Sequence, residues 1–206
     1  MNEHEFALYY ADLLSALEQD KVLLIIKDKV LLHRISHILR LKQNEKFIFF
    51  DRKINVLVKI KSINKQELVV AIESIKKNKL LAPNIIVELG LLKRDALEQS
   101  VELLTVLGVN TIKLFVSKKV QRIWGGKREY ERLQRLMIAS AEQSKQFVLP
   151  VLSDPVPFVE MCKKEKSDIQ IFCEPTGKSL IQLICAQKKL QKVTLLIGPE
   201  GDLTPE

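Results

Sequence analysis

With 206 residues, 47% of them apolar and 28% charged, the chain has the size and composition of one large or two small folded domains rather than a disordered segment. Its 33 basic and 25 acidic residues give a formal net charge of +8, which suits a polyanionic partner through counterion release and equally suits a lysine-rich solvated surface. No apolar run is long enough to span a bilayer, and the opening Glu3, His4 and Glu5 do not form a basic segment leading into an apolar one, so a cytoplasmic protein is expected. Cys162, Cys173 and Cys185 are odd in number and lack metal-ligand spacing, which predicts reduced core thiols and no metal site.

Residues 1–75 read as a small β-rich unit. Val22 to Ile26 is apolar and β-leaning, and Leu31 to Leu41 places Leu32, Ile35, Ile38 and Leu39 at helical spacing. The opposite face of that helix carries His33, Arg34, His37 and Arg40, with Lys42 just beyond. Phe47 to Phe50 runs into the polar turn Asp51-Arg52-Lys53, Ile54 to Ile60 alternates apolar with other residues, and Leu68 to Ile72 is a third strand. Short strands joined by brief turns predict a small barrel-like sheet. Its basic helix face is suited to a phosphate backbone, or simply to water.

The charged run Lys76-Lys77-Asn78-Lys79 and Pro83 mark a boundary, and from residue 80 strand and helix patterns alternate, which predicts βαβ units and a mainly parallel sheet. Ile85 to Leu92 is a buried strand. Asp95-Ala96-Leu97-Glu98 resembles a capping box opening a helix with the stripe Leu97, Val101, Leu104 and Leu107, which Gly108 terminates. Thr111 to Val116 is the next strand. A basic connection with Lys118, Lys119, Arg122 and Trp124 follows, either a nucleic-acid-contacting loop or a surface loop with a half-buried Trp. A long helix spans about Lys127 to Lys145, with Tyr130, Leu133, Met137 and Ala141 on one face and Glu142, Gln143 and Ser144 at its end.

Phe147 to Leu152 reads as extended, a short helix lies near Pro157 to Cys162, and Ile169 to Cys173 is a buried strand. It leads into Glu174-Pro175-Thr176-Gly177-Lys178-Ser179, which is not a phosphate-binding Walker loop because Phe172 stands where that motif needs glycine. After a helix from about Ser179 to Lys188, Val193 to Ile197 empties into Gly198-Pro199-Glu200-Gly201. These two loops, each with Gly, Pro and Glu, sit at the carboxyl ends of strands that a parallel sheet would bring side by side, where open α/β sheets bind ligands. A plain tight turn is the other reading of the second loop.

Leu91-Leu92-Lys93-Arg94-Asp95, Leu107-Gly108-Val109, Ala141-Glu142-Gln143-Ser144, Pro150-Val151 and Leu196-Ile197-Gly198-Pro199-Glu200-Gly201, in this order, closely resemble the ribosomal RNA small subunit methyltransferase E family, of the SPOUT class. Leu39-Arg40-Leu41-Lys42 resembles the N-terminal signature of the same family. The resemblance implies an α/β protein with an N-terminal PUA-like RNA-binding β-barrel over residues 1–75 and a SPOUT methyltransferase domain with a trefoil knot over residues 80–206. It also implies a homodimer that transfers a methyl group from S-adenosylmethionine to N3 of a uridine in 16S ribosomal RNA of the small ribosomal subunit. Carried onto this chain, it places the cofactor against Ile197, Gly198, Pro199, Glu200 and Gly201, with Glu174 and Thr176 opposite. His33, Arg34, Arg40, Lys42, Lys93 and Arg94 become candidates for RNA phosphates. Glu142 and Gln143 are candidates for orienting the loops or the target base, or for a structural cap.

Three departures stand against the family pattern. Gly201-Asp202 replaces a glycine pair, and Lys118-Lys119 follows Ser117 where an acidic and a basic residue are usual. The family also continues past the position of Glu206 with a further glycine-containing loop, an arginine-bearing strand and a closing helix, so the knot is expected to be incomplete within residues 80–206. The competing expectation is a non-catalytic RNA-binding relative whose cofactor pocket is unfinished.

Overall fold

The computed structural model describes residues 6–19, 22–120, 122–163, 167–172, 177, 179–181 and 189–199. The chain divides into two units, Met1–Lys79 with Glu142–Val148, and Leu80–Ala141 with Leu149–Glu206.

In the first unit the elements are β1 (Phe6–Tyr9), α1 (Leu13–Gln19), β2 (Leu23–Ile26), α2 (Lys29–His33), a π-helical turn (Arg34–Ile38), β3 (Lys46–Phe50), β4 (Ile54–Ile63) and β5 (Leu68–Lys77). The five strands pair in the order β1-β3-β4-β5-β2, with β1 parallel to β3 and the other pairs antiparallel. Strands β1 and β2 end this path and are not paired with each other among the described residues. The β4–β5 register shifts between Leu57 and Val58 and again between Ile60 and Ser62, irregularities that bend and twist the ribbon. The predicted alternation of β4 is what positions it: Ile54, Val56, Val58 and Ile60 point into a core shared with Leu8, Leu13, Ile26, Ile35, Phe47 and Phe49. Phe47 and Phe49 meet edge to face at 4.6 Å. The turn between β3 and β4 is closed by Asp51, whose carboxylate accepts from the Lys53 and Ile54 amides at 2.6 and 2.7 Å.

The helix predicted over Leu31 to Leu41 is broken. Asp28 caps α2 by accepting from the amides of Val30 and Leu31, and after His33 the chain widens into the π turn, where the Leu39 amide donates to the Arg34 carbonyl at 2.8 Å. The extra residue per turn rotates Ile38 out of the apolar stripe, to 63% exposure, while Ile35 stays fully buried. Arg40 then leaves the turn with φ +54°. Strand β1 and helix α1 are additions to the sequence reading. Only Leu13 and Leu17 of α1 are buried, too short a stripe to register as periodic.

The second unit contains β6 (Asn84–Gly90), α3 (Arg94–Val106), β7 (Thr111–Val116), α4 (Gly126–Ser144), β8 (Val151–Leu152), β9 (Val156–Pro157), α5 (Phe158–Lys163), β10 (Ile169–Phe172) and β11 (Lys192–Ile197). The last three residues of α4 are counted with the first unit. The sheet runs β10-β11-β6-β7-β8, with β9 also on β7, and every pairing is parallel, as the alternating pattern predicts. From β6 the chain moves outward to β7 and β8, then returns to the other side of β6 with β10 and β11. The order therefore reverses between β6 and β11, and such a switch point opens a crevice at the carboxyl ends of the strands. Ile86, Val87 and Leu89 are buried on alternate faces of β6, as a strand covered on both sides requires.

Two local expectations are corrected. Asp95 does not open a capping box: Lys93 is the N-cap residue of α3, with no side-chain cap, and Asp95 sits inside the first turn, where its charge suits the helix dipole. The stripe of α3 is also shorter than predicted, since Leu97 and Val101 are fully buried but Leu107 is 68% exposed beside Gly108, whose φ of +76° ends the helix. Cys162 is exposed rather than a core thiol, because α5 turns Met161 inward instead. Cys173 and Cys185 lie outside the described residues.

Candidate functional site

The carboxyl edge of the parallel sheet is built by register. Leu89 of β6 pairs with both Ile197 of β11 and Leu114 of β7, so the three strands end at one level. Beyond it, Gly198-Pro199 folds directly against Gly90. A Cβ on Gly90 would lie 2.6 Å from the Pro199 nitrogen and 2.7 Å from its Cδ, distances no side chain tolerates. Glycine is therefore required at Gly90 for the turn to sit over the switch point. The sequence reading ran a buried strand from Ile85 to Leu92 straight through Gly90, although a glycine inside a strand pattern is itself a signal of close backbone approach.

Beside this edge, the connection from β7 to α4 carries a polar cluster. The Glu129 carboxylate is 5% exposed and takes the guanidinium of Arg122 on one oxygen and the Gly125 amide, at 2.8 Å, on the other. This is the local reason α4 starts where it does: a carboxylate in the first helical turn gathers the preceding loop. The hydroxyl of Ser117, 8% exposed just past β7, and the buried Arg122 Nε have no hydrogen-bond partner among the described residues. Leaving such groups unmade costs on the order of 1–3 kcal/mol each. Trp124 is half-buried, with its indole N–H donating to Asp154 at 3.2 Å. Lys118 and Lys119 are exposed, as are Lys93 and Arg94 at the start of α3.

Arg132 of α4 donates to both oxygens of Glu98 on α3, at 2.5 and 2.7 Å. These hydrogen bonds, with the fields of Arg132, Arg94 and Arg122, hold the Glu98 carboxyl below the ordinary glutamate range. Partial burial and the Glu88 carboxylate push the Cys162 thiol upward, so this cysteine is poorly suited to act as a thiolate.

In the first unit the candidate residues are divided. Arg34 is committed to Glu142 in a two-pronged pair, Nη1 to Oε1 at 3.1 Å and Nη2 to Oε2 at 2.6 Å, and Glu142 also accepts from the Tyr9 amide at 2.9 Å. His33 and His37 are exposed and stacked at 4.8 Å, with His37 Nδ1 2.7 Å from the Ser36 hydroxyl. Arg40, Lys42 and Gln143 are exposed. Ile197, Gly198 and Pro199 fall at the sheet edge, whereas Glu174, Thr176, Glu200 and Gly201 lie outside the described residues.

Among the described residues, no group of three or more His, Cys, Asp or Glu is placed to hold a metal ion, and no helix is long and apolar enough to cross a membrane.

A family model for an RNA methyltransferase domain matches residues 79–206. The ribosomal RNA small subunit methyltransferase E of Mesomycoplasma hyopneumoniae is 26% identical over 172 residues, which cover 81% of this chain and 73% of that one. The protein of the same name from Rickettsia conorii is 23% identical over 177 residues, covering 84% and 70%. Both relatives agree with the resemblance drawn from the sequence. Among solved structures, the Neisseria gonorrhoeae ribosomal RNA small subunit methyltransferase E bound to S-adenosyl methionine superposes with a TM-score of 0.82 at 17% identity, over 98% of this chain and 82% of that one. A putative methyltransferase from Legionella pneumophila in complex with the same cofactor gives 0.79 at 19% identity, over 98% and 83%. At such identities the likeness establishes the shared α/β fold.

Proposed function

The chain belongs to the family of RNA methyltransferase domains, and from that premise we propose that it transfers a methyl group from S-adenosylmethionine to N3 of a uridine in 16S ribosomal RNA. The observation that carries the reading is the seat of Gly198-Pro199 on Gly90 at the switch point of a parallel sheet. A turn held close over the carboxyl end of a parallel sheet, with backbone groups of Gly198-Pro199 at the switch point, suits a nucleoside-bearing cofactor, which needs backbone donors and acceptors. Ile197, Gly198 and Pro199 would hold it on one side. Glu200, Gly201, Glu174 and Thr176 complete the proposed contact set.

When bound, the cofactor would supply an electrophilic methyl on a sulfonium; N3 of the uridine, once its imide proton has left, would bond to that methyl as the methyl–sulfur bond breaks and the thioether leaves. The protein's part is then alignment, exclusion of water and acceptance of that proton, with no covalent enzyme adduct.

Within this reading, residues 1–75 act as the PUA-like RNA-binding domain and residues 80–206 as the SPOUT methyltransferase domain with its trefoil knot. His33, Arg40, Lys42, Lys93 and Arg94 face RNA phosphates. Arg34 has a different task, because its two-pronged pair with Glu142 makes it a positioning residue, and Glu142 the acceptor that fixes it. Gln143, exposed beside Glu142, is left for the target base. The small ribosomal subunit is the substrate particle, a homodimer the working form and the cytoplasm the compartment.

Transfer of label from methyl-tritiated S-adenosylmethionine to 16S ribosomal RNA, followed by nucleoside analysis, tests the proposal. N3-methyluridine is the expected product. Saturable RNA binding without any methyl transfer at saturating cofactor would replace the enzyme with a non-catalytic RNA-binding relative.

A further inference from the structure

An antiparallel sheet that covers a core on one face usually turns polar residues to water on the other. The sheet of the first unit departs from that pattern. Its register aligns Lys46 of β3, Lys59 of β4, Ala71 of β5 and Leu23 of β2 in one row across four strands. The residues that alternate with them, such as Phe47, Val58, Val70 and Leu24, are buried in the core, so the row lies on the outer face. On one side of the row Ile25 pairs with Val69, and on the other Ile48 pairs with Leu57. Ile25 is 60% exposed and Leu23 38%. Lys46 and Lys59 stand directly opposite each other, a pairing of like charges that destabilises a sheet. Glu73 takes Lys46 at 2.8 Å, but neither Lys59 nor Lys61, exposed at the irregularity next along β4, has an ion pair among the described residues. Cations and a flat aliphatic surface thus share one solvent-facing side, at spacings fixed by strand pairing at about 4.8 Å per strand.

We propose that this outer sheet face binds a single-stranded stretch of the RNA, with Lys59 and Lys61 on phosphates and Leu23 and Ile25 packed on ribose and base faces. This rests on the methyltransferase reading for the identity of the RNA. Charge selects the occupant: opposed lysines repel a second copy of the same face and draw a polyanion, in a chain whose net charge is +8. An extended strand can follow a flat sheet with its phosphates on cations and its bases on apolar surface, whereas a duplex keeps its base faces stacked inside. The surface is separate from the π-turn segment with His33, Arg40 and Lys42, which packs Ile35 against the core side of the same sheet.

The test is filter binding of 16S ribosomal RNA transcribed in vitro, across a salt series, beside binding to intact small ribosomal subunits, sedimentation velocity and a melting curve for each variant. Lys59→Gln removes one cation and relieves its opposition to Lys46. It is expected to leave the melting temperature unchanged or raised and to lower the log–log salt slope by about 0.7, the value of one lost phosphate contact on a single strand. The double variant Leu23→Thr with Ile25→Thr keeps the charge and strand preference of the face but removes aliphatic surface. It is expected to weaken RNA binding roughly 5- to 20-fold with the salt slope unchanged, the worth of about one buried methylene at each position. Should the double variant melt lower, Ile25→Thr alone, at the more exposed position, replaces it with a loss of roughly 2- to 5-fold. An unchanged salt slope for Lys59→Gln, or unchanged RNA affinity for the threonine variants, would overturn the proposal. So would no RNA binding by the unaltered chain. Weaker binding to intact subunits with unchanged binding to naked RNA would make the occupant a protein, and loss of self-association in the threonine variants would make it a second copy; either result overturns the RNA assignment. If the RNA pattern holds while the unaltered chain transfers no methyl group, the RNA face stands and the enzymatic reading fails separately.

Discussion

Each unit contains an arginine–glutamate pair at a helix end, and the two are finished differently. In the first unit, Glu142 takes both ends of the Arg34 guanidinium and a backbone amide, so the group has its partners within the protein. In the second, Glu129 is more deeply covered, yet Arg122 Nε has no partner among the described residues. The contrast extends to the sheets. Mixed pairing in the first unit puts its chemistry on a surface segment between strands, and parallel pairing in the second collects several loop starts at one edge.

The largest effect that would sharpen the contrast is on Glu129. Glu129→Ala strands the Arg122 charge in a covered site and is expected to cost about 3–5 kcal/mol in denaturant unfolding of the whole chain. Glu142→Ala is expected to cost less, about 1.5–3 kcal/mol, because Arg34 is one-third exposed and water can replace the carboxylate. An equal or larger loss for Glu142→Ala would break the comparison. Next, Gly90→Ala forces the Gly198-Pro199 turn off the end of β6 at about 1–3 kcal/mol of overpacking strain, and calorimetry should register a matching loss of cofactor affinity.

The smallest effect concerns pH. Asp168 accepts from the Gln191 and Lys192 amides at 2.7 and 2.9 Å, which lowers its pKa. A carboxyl lowered in the folded state contributes stability that is fully present above its ordinary value and lost as pH falls through the lowered one. Asp168→Asn should therefore melt below the unaltered chain at neutral pH, with the gap closing in acid. A gap that widens in acid would show that Asp168 does not clamp the start of β11.

The legible part of the fold was the part written in periodicity. The alternation of Ile54, Val56, Val58 and Ile60 and the alternating strand and helix patterns after residue 80 follow from local geometry and the need to bury one face. The π turn was not legible, since the Leu39 and Leu41 amides reach back to the Arg34 and Ile35 carbonyls, a widening that leaves no mark in an apolar pattern. Of the candidate site, the loop at Gly198 stood out by composition and by family resemblance. Gly90 did not, because the contact that requires it is made by a residue more than a hundred positions away.

Composition, spacing and motif order by themselves determined the α/β class, the parallel second unit, the family and the Gly198-Pro199 loop, because those features depend on local preference and on residues close in sequence. Tertiary structure alone decided that Arg34 is held by Glu142 and Arg122 by Glu129, that Asp95 is not a cap, and that Cys162 faces outward. Hydrogen-bond completion depends on which groups meet across the fold, and no local pattern carries that information.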